Sequence, residues 1–239
     1  MTYNVHRCTG RDGIVSPERI ARVIAQVDPD IVALQEVDVH RQRTGGVDQV
    51  DVIARALGMR FHFNTVLRVE DSEGYGDAIL TALPARRAKA ARIPGRPRLP
   101  GVERRGALWV EIEVDGRPLQ VITTHLGLSA GERRLQLDAL LGEEWLNHPG
   151  CSQPQLLLGD FNAVPRSRAY RRLSKHLRDA QVVAGGRPRP TYPAAMPLLP
   201  LDYIFVSPPL RVLQAGVLRT KLARVASDHL PVFISAQFP

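Results

Sequence analysis

The sequence predicts an α/β fold in which mixed β-sheets are covered by helices. Amphipathic segments with a helical period alternate with short apolar runs in both halves of the chain, as expected for sheets flanked by helices. Closely spaced runs within 106–126 and 201–237 indicate antiparallel pairs, so the sheets should be mixed rather than purely parallel. No repeat or polar linker divides the 239 residues. We therefore predict one domain over residues 1–239.

Three helices carry recognisable start or stop signals. The first begins at Ser16-Pro17, a capping side chain followed by proline at the first helical position, and Asp28-Pro29 ends it. The second covers residues 50–57 and is stopped by Gly58. The third begins at 129–132, where serine and glutamate three residues apart form a capping box. Each helix is predicted to pack one apolar stripe against a sheet.

The strands are predicted from apolar runs bounded by turn residues. Most are short and rich in Val, Ile and Leu, as in strands that are buried on both faces. They lie at 31–34, 60–66, 76–83, 106–114, 118–126, 156–158, 201–206, 211–219 and 230–237.

Composition excludes several classes of protein. With 44% apolar and 23% charged residues the chain is neither disordered nor fibrous. No apolar run approaches the roughly 18 residues that span a bilayer, and no signal-peptide pattern follows Met1, so we expect a cytoplasmic protein without a transmembrane segment. Cys8 and Cys151 stand far apart in no metal-binding spacing, which suits a reducing compartment.

The net charge of +8 has two interpretations. Clustered cations could bind nucleic acid by releasing counterions from phosphates. Alternatively, because only three of the 32 basic residues are lysine, the excess of arginine could simply reflect base composition. Charge alone does not choose a partner.

Polar side chains follow several of the predicted strands. Glu36 comes just after the run 31–34, Asp160 and Asn162 follow 156–158, and His125 ends another strand. Strand ends are where α/β sheets place ligand sites, because rigid elements hold the loops there. A solvated acid at one strand end is ordinary, but several in one chain favour a functional site.

Asp202 requires a partner of its own. Strand alternation places it on the same face as Ile204 and Val206, at least partly buried, and a buried carboxylate is costly without a cation or donor. His229 is the best candidate, because aspartate raises the pKa of a histidine and fixes its tautomer. A hydrolase triad of Ser227, Asp228 and His229 is excluded, since consecutive extended residues point to opposite faces.

The chemistry of these groups favours a hard metal ion. They offer carboxylate, amide and imidazole ligands and no thiolate, a set that suits Mg²⁺ or Mn²⁺. The complete set is Asn4, Glu36, His125, Asp160, Asn162, Asp202, Asp228 and His229.

In their order and type these motifs resemble the endonuclease/exonuclease/phosphatase family, which includes nucleases, inositol-polyphosphate phosphatases and bacterial sphingomyelinases. The matching segments cover the chain from end to end. They are Thr2-Tyr3-Asn4, Leu34-Gln35-Glu36, Gly76-Asp77-Ala78-Ile79-Leu80, Thr124-His125-Leu126, Gly159-Asp160-Phe161-Asn162, Leu201-Asp202-Tyr203 and Ser227-Asp228-His229. The resemblance implies a four-layered αββα sandwich with two packed mixed sheets.

The resemblance also implies a mechanism, the hydrolysis of a P–O bond by in-line attack of water. Asn4, Glu36 and Asp228 would surround Mg²⁺ or Mn²⁺. Asp160 would orient or deprotonate the water, and Asn162 would donate to the transition state.

The histidines would act on the phosphate. His229, held by Asp202, would contact the scissile phosphate or transfer a proton, and His125 would assist at a nonbridging oxygen or the leaving group. Weaker matches suggest three substrate-binding residues, Arg105, Tyr75 and Arg41.

The substrate stays open at this stage. Arginines within 86–105 and 166–178 favour a nuclease, although no long insertion is visible and the second group could be a solvated helix face. The apolar stretch 194–200 favours a phospholipid or small phosphodiester, although it could be an ordinary packed loop. An alternative of a different class is a non-catalytic basic nucleic-acid-binding or scaffold protein on a degenerate hydrolase fold.

Overall fold

Two mixed six-stranded β-sheets form the centre of the molecule. They are seen in a computed structural model, which describes residues 1–68, 73–95 and 103–238. The strands are β1 (Thr2–Asn4), β2 (Ile31–Val39), β3 (Arg60–Arg68), β4 (Gly74–Thr81), β5 (Ala85–Arg92), β6 (Gly106–Val114), β7 (Arg117–His125), β8 (Gln155–Asp160), β9 (Arg178–Asp179), β10 (Asp202–Val206), β11 (Arg211–Val217) and β12 (Val232–Gln237).

Six α-helices and two 3₁₀ turns connect the strands in the described part of the chain. The helices are α1 (Pro17–Ile24), α2 (Gln49–Leu57), α3 (Ala130–Leu140), α4 (Arg168–Leu173), α5 (Ala180–Val183) and α6 (Lys221–Ala226), and the 3₁₀ turns are His6–Cys8 and Gln42–Thr44. None of these helices is long and apolar enough to cross a membrane.

The parallel strands of the two sheets end on the same side of the molecule, which we call the functional edge. The first has the order β11-β12-β1-β2-β4-β3, with β1 and β2 parallel, and the second has the order β5-β6-β7-β8-β10-β9, with β7 and β8 parallel. The other neighbours among the described strands are antiparallel. Asn4 at the end of β1 lies 3.0 Å from Asp160 at the end of β8, so both parallel pairs end at the same edge.

Strand alternation divides the apolar residues between two cores. On β6, Leu108 and Val110 join the core that lies between the sheets, whereas Ala107 and Trp109 face a second core with residues of α3 and α4. Ile20 and Ile53, on α1 and α2, join the first core from the outside of the first sheet. Burial of each large aliphatic side chain contributes roughly 1.5–3 kcal/mol. The layers are thus helices, sheet, sheet and helices, and the expected four-layered sandwich is confirmed.

The helix starts follow the sequence signals. Ser16 accepts a hydrogen bond from the backbone N–H of Arg19, with proline in the first turn. Ser129 caps α3 by accepting from the N–H of Glu132, and its hydroxyl donates to the Glu132 carboxylate.

Sequence analysis missed the shorter or less apolar elements. The strand β5 has the sequence Ala-Arg-Arg-Ala-Lys-Ala-Ala-Arg, which lacks large apolar residues, and it is extended because it pairs with β6 at the edge of the sheet. The helices α4, α5 and α6 have four to six residues, too few to display a helical period.

Candidate active site

The second sheet brings three of the predicted site residues into one row. His125 on β7 is in register with Asp160 on β8, and Asp160 is in register with Asp202 on β10. Side chains in one row across adjacent strands point to the same face of a sheet. Residues separated by up to 77 positions, from His125 to Asp202, therefore meet at the functional edge.

A close approach of β7 and β8 permits this row. Gly159 has φ +148°, and a Cβ atom at this position would lie 1.9 Å from the backbone oxygen of Thr124. A residue other than glycine would force the two strands apart just before His125 and Asp160.

The first sheet contributes Asn4 and Glu36. A bulge interrupts the pairing of β2 with β4 between Leu34 and Val37, and Glu36 has φ 60° there. The amide nitrogen of Asn4 donates to Glu36 Oε1 at 3.0 Å and to Asp160 Oδ2 at 3.0 Å, while its oxygen accepts from the N–H of His6. Asn4 thus joins the carboxylates of the two sheets.

His229 lies in the loop before β12 and is held by Asp202. The distance from His229 Nδ1 to Asp202 Oδ2 is 2.8 Å, and the Thr191 hydroxyl donates to the same oxygen at 2.5 Å. Asp202 is 0% exposed, and Ile204 and Val206 on its face are buried in the inter-sheet core, as the alternation predicts. The histidine is therefore the buried partner that Asp202 required.

The remaining ring nitrogen of His229 faces Asp160. His229 Nε2 lies 3.7 Å from Asp160 Oδ2. Burial lowers the pKa of His229, but the carboxylates of Asp202 and Asp160 raise it more, to about 10. Burial and the nearby Asp202 carboxylate raise the pKa of Asp160, against the opposing effect of His229. The protonated ring of His229 lies between the carboxylates of Asp202 and Asp160, and both of them stabilise its positive charge.

His125 is a neutral ring with a defined tautomer. Burial and the positive charge of Arg105 lower its pKa well below the usual value. Arg105 Nη1 lies 2.9 Å from His125 Nδ1, and a guanidinium can only donate, so Nδ1 accepts and the ring proton is on Nε2. This N–H faces Asp160 Oδ2 at 3.5 Å; the side-chain nitrogen of Asn162 lies 3.0 Å from Nε2, but it is also a donor and so does not accept the ring proton.

Asn162 is placed by its own backbone. It has φ 47°, and its N–H donates to Asp160 Oδ1 at 2.9 Å. Its side-chain nitrogen donates to the backbone oxygen of Leu126 at 3.0 Å. These bonds fix the amide beside Asp160 and His125 at the end of β8.

These side chains line one cleft of about 400 Å³. Its walls combine charged site residues with a few apolar ones, namely Glu36, Glu103, Arg105, His125, Gly127, Leu128, Glu132, Asp160, Asn162, Tyr192, Leu201, Asp228 and His229. Asn4 and Asp202 lie behind this lining and contact Glu36, Asp160 and His229.

The weaker substrate-binding candidates are placed differently from one another. Arg105 lines the cleft and pairs with Glu103 at 2.9 Å. The Tyr75 hydroxyl reaches Glu103 at 3.5 Å from behind the cleft wall. Arg41 lies 3.3 Å from Glu73 and is not among the residues that line the cleft.

Two sets of side chains could hold a metal ion. The ligand atoms of Asp160, Asp202 and His229 all lie within 4.8 Å of one another. The other set is Glu36 and Asp228, which line the cleft, with Asn4 between Glu36 and Asp160. In the first set Asp202 Oδ2 is bonded to His229, and Asp202 Oδ1 is buried without a hydrogen-bond partner in the described part of the chain. The carboxylates of Glu36 and Asp228 are more exposed to the cleft than those of Asp160 and Asp202, which makes the second set the more open oxygen-rich site.

Several neighbours of the site carried no usable sequence signal. Thr191, which donates to Asp202, and Tyr192, whose ring packs against His229 with centroids 4.9 Å apart, belong to an irregular loop. Asp77 was part of a matching segment without an assigned role, and its side chain is buried. Burial raises its pKa to about 7, opposed by Arg105. Ser227 donates to the backbone oxygen of Asn4, as a structural hydroxyl would.

The chain is similar in sequence or in structure to several known proteins along nearly its whole length. The uncharacterized protein YbhP of Escherichia coli K12 is 28% identical over 97% of this chain and 93% of its own length. An endonuclease/exonuclease/phosphatase structure from Beutenbergia cavernae is 27% identical over 99% of this chain and 70% of that one, with a TM-score of 0.75. A mannosyl-6-phosphatase structure from Bacteroides thetaiotaomicron has a TM-score of 0.75 and 21% identity over 99% of this chain and 98% of that one.

The family model provides the broadest evidence. It carries the description Endonuclease/Exonuclease/phosphatase family and matches residues 1–229, a range that runs from β1 to His229. The match confirms the resemblance inferred from the short motifs, and the chain belongs to the endonuclease/exonuclease/phosphatase family.

Proposed function

We propose that this chain is a divalent-metal-dependent hydrolase of phosphoester bonds, with phosphodiesters as the first candidates, and that residues 1–239 form one catalytic domain. The position of Asp160 is the observation that carries the proposal. This buried carboxylate lies within 3.0 to 3.7 Å of Asn4, His125 and His229 in one cleft. A proton acceptor surrounded by phosphate-directed donors is what water attack on a phosphoester requires.

Asp160 would orient the attacking water and accept its proton. One of its oxygens is fixed by the N–H of Asn162 and the other by the amide of Asn4, so the carboxylate cannot turn away from the cleft. Asn162 and the Nε2–H groups of His125 and His229 would donate to the phosphoryl oxygens, where negative charge grows in the transition state. No covalent enzyme intermediate is needed.

Two positioning residues support the donors. Asp202 holds His229 by Nδ1, which directs Nε2 towards the cleft, and Arg105 does the same for His125. Each ring thereby presents an N–H on the side that faces Asp160.

Glu36, Asp228 and Asn4 would hold Mg²⁺ or Mn²⁺. The donor set fits such an ion in its chemistry, because the carboxylates of Glu36 and Asp228 line one cleft and the Asn4 amide contacts Glu36. Asn4 would contribute its side-chain oxygen, which has a second lone pair beside the one that accepts from the N–H of His6, while its nitrogen keeps its bonds to Glu36 and Asp160. When bound, the ion would polarise the phosphoryl group and stabilise the leaving oxygen.

The named relatives support the reaction class without choosing the substrate. The similar Bacteroides structure is a mannosyl-6-phosphatase, and the family description includes both nucleases and phosphatases. The net charge of +8 would attract any phosphate ester. Nucleic acid, phospholipid and small phosphodiester all remain within the proposal.

The test is hydrolysis of bis-p-nitrophenyl phosphate and p-nitrophenyl phosphate with Mg²⁺, Mn²⁺ or EDTA. We expect metal-dependent turnover by the wild-type chain and almost none by Asp160→Asn. Plasmid DNA, abasic oligonucleotide, single-stranded RNA, phospholipids and inositol phosphates then assign the substrate. Absence of metal-dependent turnover on every substrate would favour the alternative of a non-catalytic binding or scaffold protein.

A further inference from the structure

One exposed loop beside the cleft carries an unusual concentration of apolar side chains. Between α5 and β10, Met196 is 66% exposed, Leu198 62% and Leu199 43%. Isolated apolar residues on a surface are ordinary, but three large ones within four positions form a patch. We call Met196, Leu198 and Leu199 the apolar rim.

The apolar rim is held in place. Tyr192 and Leu199 form an antiparallel bridge, and the N–H of Ala194 donates to the backbone oxygen of Asp228 at 2.6 Å. Arg224 on α6 donates to the backbone oxygens of Ala194 and Ala195. The loop backbone is therefore fixed while its apolar side chains point outward.

The apolar rim borders the mouth of the candidate active site. Tyr192 and Leu201, on either side of the rim, both line the cleft. Leu128 also lines the cleft, from the loop before α3, and is 72% exposed. Apolar side chains thus lie on two sides of the opening.

The segment around the apolar rim is strongly cationic. Residues 180–227 contain six arginines and lysines, and their one acidic residue, Asp202, is 0% exposed and paired with His229. Arg187, Arg189, Arg219 and Lys221 are exposed within this segment. No exposed carboxylate lies within residues 180–227, and the next one along the chain, Asp228, is 35% exposed and belongs to the lining of the cleft.

We propose that the apolar rim and these surrounding cations form a docking face for an anionic lipid surface. Aliphatic side chains enter the boundary between headgroups and acyl chains, and arginine and lysine attract anionic headgroups. Single-stranded nucleic acid would instead be expected to stack on exposed aromatic rings, whereas the side chains of the rim are aliphatic. Docking in this way would turn the mouth of the cleft towards the lipid headgroups.

Vesicle co-sedimentation of the whole chain tests this proposal. The probes are phosphatidylcholine vesicles with and without an equal part of phosphatidylglycerol. We expect binding to the anionic vesicles that weakens as salt is added, and little binding to phosphatidylcholine alone. The measurement requires no catalysis, so it stays informative even if the proposed hydrolysis fails.

Two variants with matched controls assign the binding to this face. Leu198→Ser should weaken binding by about tenfold, whereas Leu213→Ser, at a 55% exposed leucine on β11, should leave it unchanged. Arg189→Glu with Lys221→Glu should weaken it by at least about tenfold. The charge-matched control is Arg55→Glu with Arg60→Glu, at exposed residues near the opposite end of the first sheet. Thermal unfolding of each variant verifies that it is folded.

Three results would overturn the proposal. The first is equal binding of the wild type to both kinds of vesicle, or to neither. The second is an equal loss of binding in the test and control variants. The third concerns a single-stranded oligonucleotide measured in parallel. If its binding exceeds vesicle binding and is lost in the same variants, the face binds nucleic acid and not lipid.

Discussion

The pair formed by Asp202 and His229 gives a quantitative prediction. Asp202→Asn keeps the size of the side chain and removes one negative charge next to His229 Nδ1, at 2.8 Å. Charges about 4 Å apart at an effective dielectric constant of about 20 interact by about 4 kcal/mol. Asp160 faces the other ring nitrogen, and in the variant it would still stabilise part of the positive charge on the His229 ring. We therefore expect the turnover number to fall by about a hundred- to a thousandfold.

The assay is steady-state hydrolysis of bis-p-nitrophenyl phosphate at saturating metal and substrate. Thr191→Val is the matched control, because it removes the hydrogen bond to Asp202 at 2.5 Å and keeps the carboxylate. A hydrogen bond to a charged group contributes about 1.5–3 kcal/mol to stability. Because Asp202 and its bond to His229 remain, the control should lose at most about tenfold in rate. Thermal unfolding of both variants separates loss of activity from loss of structure.

The affinity of Asp202→Asn for Mn²⁺ provides a second test of the role of Asp202. If Asp202 serves only to hold His229, Asp202→Asn leaves the affinity for Mn²⁺ unchanged. If instead Asp160, Asp202 and His229 bind the ion together, as their proximity permits, the affinity falls sharply. Turnover within about threefold of wild type, or a large loss of Mn²⁺ affinity, would refute the assignment of Asp202 as a positioning residue.

Two further predictions concern catalysis and stability. Glu36→Ala, Asp160→Ala and His229→Ala should each lower turnover by about a thousandfold or more without unfolding the chain, and wild-type-like rates in any two of them would contradict the assignment. Gly159→Ala should lower the free energy of unfolding by about 2–4 kcal/mol, because its Cβ would lie 1.9 Å from the Thr124 oxygen; urea denaturation measures this loss, and an unchanged midpoint would show that the strands can separate freely.

The sequence predicted those features of the site that follow from local pattern. Alternation along one strand placed Asp202 on a buried face, and the cost of a lone buried carboxylate pointed to His229 as its partner. The predicted strand-end positions of Glu36, His125 and Asp160 indicated a shared edge, and the structure brings the three side chains together. Glu36, however, lies at a bulge within β2, which continues to Val39, and not at the end of the strand as predicted.

Features that depend on contacts between distant segments could not be predicted. Thr191 reaches Asp202 from an irregular loop, and nothing in its local sequence marks it. The positive φ of Glu36 arises from a bulge, which depends on how β2 pairs with β4. Arg41 resembled a substrate-binding residue by position, but only the fold reveals that Glu73 is its partner.

Element prediction had the same limit. Long amphipathic or apolar segments such as α1 and β6 carry a period that can be counted. The edge strand β5 and the short helix α6 are formed through tertiary contacts, with β6 and with α1. Local propensity alone is too weak to define such elements.

The most direct test of the central claim is the metal dependence of hydrolysis by the wild-type chain and by Glu36→Gln. The wild type should hydrolyse bis-p-nitrophenyl phosphate with Mg²⁺ or Mn²⁺, lose this activity in EDTA and regain it when the ion is restored. Glu36→Gln should require at least about tenfold more metal for half-maximal rate, because one charged ligand is lost. Turnover that is unchanged by EDTA would contradict a metal-dependent site. An identical metal requirement in the two proteins would contradict Glu36 as a ligand of the ion.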